Sequence, residues 1–333
     1  MKKKIDVKVN SNHIVSEEDW YDSWDALEAI NEIKNDATVT LSGKIEMPVC
    51  SPSLVEEYAD TGLELKTDED LMQLEDKEVC KVLAENKGGL ITHEDFRNLT
   101  DIGTMFKDNT EITSFKELSS TKLITVVPNV FNGCTNLREV ELPKTFEKYN
   151  NPNVTLGYFF ANTSIRKLCF PGLKSANGGY YFANCSLLVS LFFPKMEALT
   201  GIWARSFEKI LEVLDFGNNL STVYMSYFYG ATAYICRAII PPTITTYNSH
   251  APSPIKGTLF VPSDSVSAYA NDEKWASSSA GVIASIGGTE WQSIMRSLAE
   301  QYAPEFNPSF DIEGADYSDE YIDYDIFGVE RVG

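Results

Sequence analysis

The chain has 333 residues, a formal net charge of −20 and 43% hydrophobic residues. That length supports a large core and more than one structural unit, and the apolar content is that of a globular protein. The acidic balance leaves no basic stripe for nucleic acid or anionic lipid, and no apolar run reaches the 18 residues of a spanning helix.

The charge is unevenly placed. Residues 1–89 carry 10 Lys against 21 acidic residues, net −11, and residues 289–333 carry 2 Arg against 11, net −9. Between them, residues 90–288 balance 16 basic against 16 acidic residues. Three domains are expected on these bounds: a capping or docking unit, a neutral repeat region, and a helix with an acidic aromatic tail. Acidic flanks favour basic or neutral protein surfaces as partners.

The opening, MKKKIDVKVNSNH, is basic but lacks the apolar stretch of a secretory leader, so no signal peptide is expected. Strand patterns fall at Ile5–Val9 and Thr38–Leu41. A helix is predicted from Glu17 to about Lys34, with Ser16 as cap and Trp20, Trp24, Leu27 and Ile30 as its apolar stripe. Ser51-Pro52 reads as another helix start. A third helix is predicted over Thr67–Asn86, ended by Gly88-Gly89. Residues 1–89 therefore read as a small α/β unit that either caps the repeats or docks to a partner. Thr92–Phe96 reads as a short helix start in which His93 has a capping rather than a ligand role.

The middle of the chain repeats. Phe131, Cys134, Leu137, Val140, Leu142 and Pro143 recur in the same register as Phe182, Cys185, Leu188, Leu191, Phe193 and Pro194. A third copy, Phe160 to Pro171, is one residue shorter, and weaker copies start at Phe106, Phe207 and Phe228. The anchors are thus 25, 29, 22, 25 and 21 residues apart, steps that suit a coil of one short strand and one irregular return. Alternation in each copy directs Leu137, Val140 and Leu142 to a core, with the anchor phenylalanines stacked behind them. Cys134, Thr163 and Cys185 share a position that calls for a small residue under a tight turn. A further aromatic precedes several anchors. If the anchor faces in, its neighbour faces out, so Phe159, Tyr181 and Tyr227 are candidates for an external binding row; packing on adjacent coils is the alternative.

Little chemistry is encoded. None of His13, His93 and His250 has a metal-ligand partner at the right spacing, and no nucleophile-elbow, phosphate-loop or dinucleotide motif occurs. No cofactor is expected. The six cysteines show no paired spacing; Cys134 and Cys185, two coils apart, should lie roughly 9–10 Å apart from the strand spacing, too far for a disulfide. Asp316, Asp319, Glu320, Asp323 and Asp325 lack the calcium-loop pattern and read as a solvated acidic patch, with weak cation binding as the alternative.

Residues 289–302 form a predicted amphipathic helix, capped by Thr289 and ended by Pro304. The tail beyond it is acidic yet aromatic-rich. Tyr317, Tyr321, Tyr324 and Phe327 mark it as a docking segment that orders against a partner or against its own repeats.

The copies at 131, 160 and 182, the LPKTF exit at 142–146, the opening LTDIGTMFKDNTEITSFKEL at 99–118 and the closing GTLFVPSDSVSAYANDEKWA at 257–276 resemble the BspA-like leucine-rich repeats of gut-bacterial surface proteins and phage-encoded proteins. The resemblance covers roughly residues 90–288. It implies an α+β fold: a leucine-rich-repeat solenoid of parallel short strands, with a small N-terminal α/β unit and a C-terminal helix plus acidic tail. It also implies a non-enzymatic structural or interaction protein. With no leader and acidic flanks, the expected setting is a bacteriophage or prophage virion. Partners would be virion subunits, further copies of the chain, or a host surface glycan or protein. The alternative is a bacterial adhesin exported without a leader, placed at the cell surface or in the cytoplasm.

Overall fold

The structure, a computed structural model, describes residues 7–9, 39–41, 74–89, 91–124, 129–150, 158–177, 182–199, 211–224, 231–245, 257–278 and 282–331. The chain forms two compact units, Met1–Leu74 with Cys80–Phe96, and Glu75–Val79 with Arg97–Gly333.

In the first unit β1 (Val7–Val9) and β2 (Val39–Leu41) pair antiparallel, where the alternation predicts strands. The helices expected at Glu17–Lys34 and after Ser51 lie outside the described residues. Helix α1 (Lys77–Lys87) begins later than predicted. Residues 74–76 are not helical, because Asp76 acts as the cap: its Oδ1 accepts the Glu78 N–H at 2.9 Å. The predicted end holds, with Gly88 at φ +78° and the Gly89 N–H bonded to Ala84 O at 2.9 Å. Helix α2 (His93–Arg97) starts on a reciprocal cap in which Asp95 N–H donates to Thr92 Oγ1 (3.1 Å) and Thr92 N–H to Asp95 Oδ2 (3.0 Å).

The second unit holds the repeats. Strands β3 (Ser114–Phe115) and β4 (Glu139–Val140) pair in parallel. Thereafter strands alternate between two parallel sheets. One holds β6 (Lys167–Cys169), β8 (Ser190–Phe192), β10 (Leu211–Asp215), β12 (Ala231–Ile235), β14 (Thr258–Val261) and β15 (Ile283–Ser285), in that spatial order. The other holds β5 (Lys148–Asn150), β7 (Ser175–Asn177), β9 (Ala198–Leu199), β11 (Thr222–Tyr224) and β13 (Thr243–Thr245).

Register explains burial. Leu168, Leu191, Leu214, Tyr234 and Leu259 align across the six-stranded sheet and none is more than 1% exposed. Behind this row the anchors stack: Phe106 on Phe131 at 5.7 Å, Phe131 on Phe160 at 5.3 Å and Phe160 on Phe182 at 6.1 Å. Leu137, Val140 and Leu142, and Leu188, Leu191 and Phe193, are all buried as the alternation requires.

The turn after each anchor is more specific than the sequence reading assigns. Asp108, Gly133, Asn162 and Asn184, each two residues past an anchor, all have φ between +59° and +82°. In that left-handed conformation the residue donates its N–H to the next coil: Asp108 to Asn132 O (2.8 Å), Gly133 to Ala161 O (3.0 Å) and Asn162 to Ala183 O (2.9 Å). Only Gly, Asn and Asp adopt that region readily. The small position three past the anchor must also donate. Cys134 Sγ donates to Phe106 O at 2.9 Å, Cys185 Sγ to Phe160 O at 2.8 Å, and Thr163 Oγ1 to the same Phe160 O at 2.8 Å.

The segment read as the closing unit gives strand β14 followed by helices α3 (Val266–Asn271) and α4 (Glu273–Ser278), but β14 is not the last strand, since β15 pairs beyond it and ends the sheet. Tyr269 OH donates to Ala238 O and Trp275 Nε1 to Pro242 O, at 2.9 and 2.7 Å. Helix α5 (Thr289–Phe306) runs past the predicted stop, with Pro304 inside it. Its last turn is held from outside: Glu305 pairs with Arg166 at 2.7 Å and the Phe306 ring packs on Phe327 at 5.4 Å. Packing there outweighs the lost backbone bond. The N-cap is Gly288 rather than Thr289, and no side chain caps it. Helix α6 (Ile322–Ile326) follows in the tail.

Candidate interaction site

The outward face of the six-stranded sheet changes character along the array. In register, Cys169, Phe192, Asp215, Ile235 and Phe260 form one outward row, flanked by Lys167, Ser190, Val213, Ala233 and Thr258. From β8 onward these rows are mostly apolar. Toward β4 the corresponding outward positions are charged: Lys116, Glu139 and Glu141.

Residues 289–331 lie on the apolar part. Helix α5 crosses the strands. Its Trp291 meets Phe260 edge-on at 5.1 Å, Tyr302 OH donates to Glu212 Oε1 at 3.3 Å, and Arg166 and Lys167 sit over the Phe306 ring at 5.6 and 5.7 Å. Met295, Leu298, Ala299, Tyr324, Ile326 and Phe327 join Val213, Ala233, Ile235 and Phe260 in one continuous core.

The predicted site residues divide accordingly. Tyr324 and Phe327 are 1% and 0% exposed and pack on Phe192 of the chain's own repeats, half-buried Tyr321 lies over Arg237, and Tyr317, 7% exposed, packs within the C-terminal segment against Phe310 and Arg296. Of the two partners left open for the tail, the structure shows its own sheet. Phe159 does not face outward. It is 1% exposed, 4.3 Å from the Phe160 ring and 6.1 Å from Phe131. Residues 159–162 form a bend and turn, so strict alternation of an extended strand does not apply to adjacent aromatics there. Tyr181 and Tyr227 lie outside the described residues.

The acidic cluster of the tail is largely counter-charged. Arg331 pairs with Asp319 (2.8 Å) and with Asp325, while Asp316 accepts the Ser318 N–H at 2.9 Å. Asp323 is buried. Arg237 Nη2 donates to Asp323 Oδ1 at 2.8 Å, Arg237 Nε to Asp215 Oδ2 at 2.9 Å, and Arg237 Nη1 to Glu320 O. The Tyr321 and Tyr324 rings lie 4.3 and 5.4 Å from the same guanidinium. Burial pushes Asp323 up to about 7; Arg237 opposes the rise and Asp215 adds to it. Burial disfavours the Arg237 charge, but Asp215 and Asp323 outweigh it and hold the group above its usual range. Sequence reasoning missed this cluster. Its signal was Asp215, a charge on a row otherwise filled by Cys169, Phe192, Ile235 and Phe260.

Where the tail stops, the sheet face opens into a groove of about 1020 Å³. It is lined by Glu139, Glu141, Lys144, Lys167, Cys169 and Phe306 among others. Ion pairs line it: Lys116 with Glu139 at 2.7 Å, and Lys144 with Glu330 at 2.9 Å. Lys167 donates to the carbonyls of Phe327 and Gly328 at 2.8 and 3.2 Å, and burial lowers its pKa. At the rim Leu187 is 48% exposed. A mixed surface of paired charges, carbonyls and exposed apolar side chains suits protein contact. Among the described residues no group of three or more His, Cys, Asp or Glu is placed to hold a metal ion, and no helix is long and apolar enough to cross a membrane.

The BspA type leucine rich repeat region model matches residues 100–235 and 178–251, in 6 copies. Residues 100–251 carry BspA-type leucine-rich repeats. The copy number equals the number of anchors read from the sequence, and the matched span lies within the 90–288 expected from the motif. No curated protein matches the chain. The BspA-type repeats supply the sheet face, and the groove begins on their first coils.

Proposed function

We propose that the protein is a non-enzymatic interaction component built on a leucine-rich-repeat solenoid, whose groove beside β4 and β6 takes a protein partner. The observation that carries this is the uncovered end of the repeat face. Over β8 to β14 the chain covers its own apolar rows, while around Val140 and Leu168 it leaves a groove of about 1020 Å³ open. BspA-type repeats are an interaction and adhesin-like scaffold, and a fold of this kind fixes a binding surface rather than a chemistry.

The setting we infer is a phage or prophage particle, with the protein bridging subunits or meeting the host surface. The acidic N-terminal flank and the neutral repeats support that reading. Tyr181 and Tyr227 remain proposed contacts of the repeat region. Mass spectrometry across a density gradient of particles shed by the source culture tests it. Co-banding with capsid and tail proteins at fixed stoichiometry is expected. Recovery only as cell-surface protein would overturn the particle assignment in favour of an adhesin, the reading that the repeat type itself favours.

A further inference from the structure

We propose that residues 289–331 are a proton-controlled cover over the apolar face of the six-stranded sheet, docked when a shared buried site is protonated and loosened when it is not. Three observations converge on it. First, the cover is one contiguous stretch of chain joined to the sheet at a single point. It leaves β15 through Ile286, Gly287 and Gly288, with Gly287 at φ +75°, and then packs as one body over the sheet. Glycines give that link the torsional freedom to swing.

Second, the contact between cover and sheet contains an uneven charge count. Asp215 of β10 and Asp323 of α6 are both 0% exposed, and Arg237 beside them is 7% exposed. Among the described residues, these two carboxylates share one guanidinium. Asp215 is otherwise served, since its Oδ1 accepts the Gly217 N–H at 2.7 Å. Asp323 Oδ2 is buried without a hydrogen-bond partner. An unpaired buried carboxylate oxygen is costly, and a proton removes the surplus charge.

Third, the groups that face Arg237 are aromatic rather than cationic. Tyr321, Tyr324 and Trp291 present rings to Arg237. Burial raises Tyr324 out of its ordinary range and pushes the Cys169 thiol up to about 12, so both stay neutral. Arg331 is held by Asp319 and Asp325.

The sign follows from linkage. Asp323 binds its proton at about 7 when docked and, once released to water, at the ordinary carboxylate value of about 3.9. Docking is therefore fullest below about pH 4. Its equilibrium constant falls by about tenfold per pH unit between those two values.

Hydrogen exchange on the full chain at pH 5, 6, 7 and 8, corrected for intrinsic exchange rates, tests this. Peptides from 289–331 should lose protection by about tenfold per unit from pH 5 to 7, while peptides from β10 to β14 keep theirs. Asp323→Asn should flatten that dependence. A pH-independent cover in the wild type overturns the proposal, as does loss of strand protection in step with the cover, or an unchanged slope in Asp323→Asn. If the variant does not fold, the wild-type slope alone decides.

Discussion

Arg237 Nη2 meets Asp323 Oδ1 at 2.8 Å across 86 residues of chain. One guanidinium just past the end of β12 thus ties the repeat sheet to the C-terminal segment. Replacing Arg237 by Ala leaves two buried carboxylates without their cation and should cost about 3–5 kcal/mol in denaturant unfolding. Arg237→Lys should recover little of it, since an ammonium lacks the fork that reaches Asp215, Asp323 and Glu320 together. A loss below about 1 kcal/mol in Arg237→Ala would show the cluster to be incidental.

The aromatic stack should be as sensitive as any hydrocarbon core. Phe131→Ala opens a cavity between Phe106 and Phe160 and should cost about 3–5 kcal/mol. Phe159→Ala should cost a similar amount, because the ring is buried between Phe131 and Phe160. A melting temperature unchanged in Phe159→Ala would return that residue to the surface.

At the left-handed turn position, Gly133→Ala should destabilise by about 1–2 kcal/mol. A Cβ there would also lie 2.2 Å from Asp108 Oδ1, although that side chain can swing away. Asn184→Gly, at the equivalent place, should stay within about 0.5 kcal/mol of wild type because Gly tolerates the same φ. Thermal melts of the two variants side by side give the comparison, and equal losses would refute the conformational argument.

The array was legible because its signals are local. Phe131, Cys134, Leu137 and Val140 recur at fixed offsets, and each offset maps to one buried position. The left-handed residue was equally local but hidden by chemistry: Asp108, Gly133, Asn162 and Asn184 look unrelated until backbone conformation unites them. The Asp215–Arg237–Asp323 cluster was not legible, because its members come from two coils and the tail, and no spacing links them. Of the two readings open for Phe159, packing holds and the outward one fails, because alternation belongs to strands and the residue sits in a bend.

Acid should act on Asp76. Its Oδ2 accepts the Thr113 N–H at 2.6 Å and the Ser114 N–H at 3.1 Å, while Oδ1 caps α1. Partial burial works against the charge, yet these bonds outweigh it and lower the pKa. The stabilisation is thus present above the ordinary carboxylate value and fades as pH falls through the lowered one. Melts of wild type and Asp76→Asn should differ at pH 6 and converge toward pH 2; a constant gap would remove Asp76 from the acid response.

Charge reversal in the groove should separate binding from folding. Arg138→Glu with Leu187→Ser changes two exposed side chains and should leave stability within about 0.5 kcal/mol. Partner affinity, measured with whichever particle protein co-purifies, should fall at least about tenfold, the scale of one lost interface anchor. Unchanged affinity would move the contact away from β4 and β6.

The helix that crosses the sheet is also a ruler. At about 1.5 Å per residue its 18 residues span roughly 27 Å. The five strand-to-strand steps from β15 to β6 span roughly 24 Å at about 4.8 Å each. Coils added before β6 would lengthen the array without touching this match. One inserted between β6 and β15 would leave a strip of sheet bare unless the helix grew by about three residues. Repeat number in this architecture is therefore free to drift at one end and tied to the length of a single helix at the other.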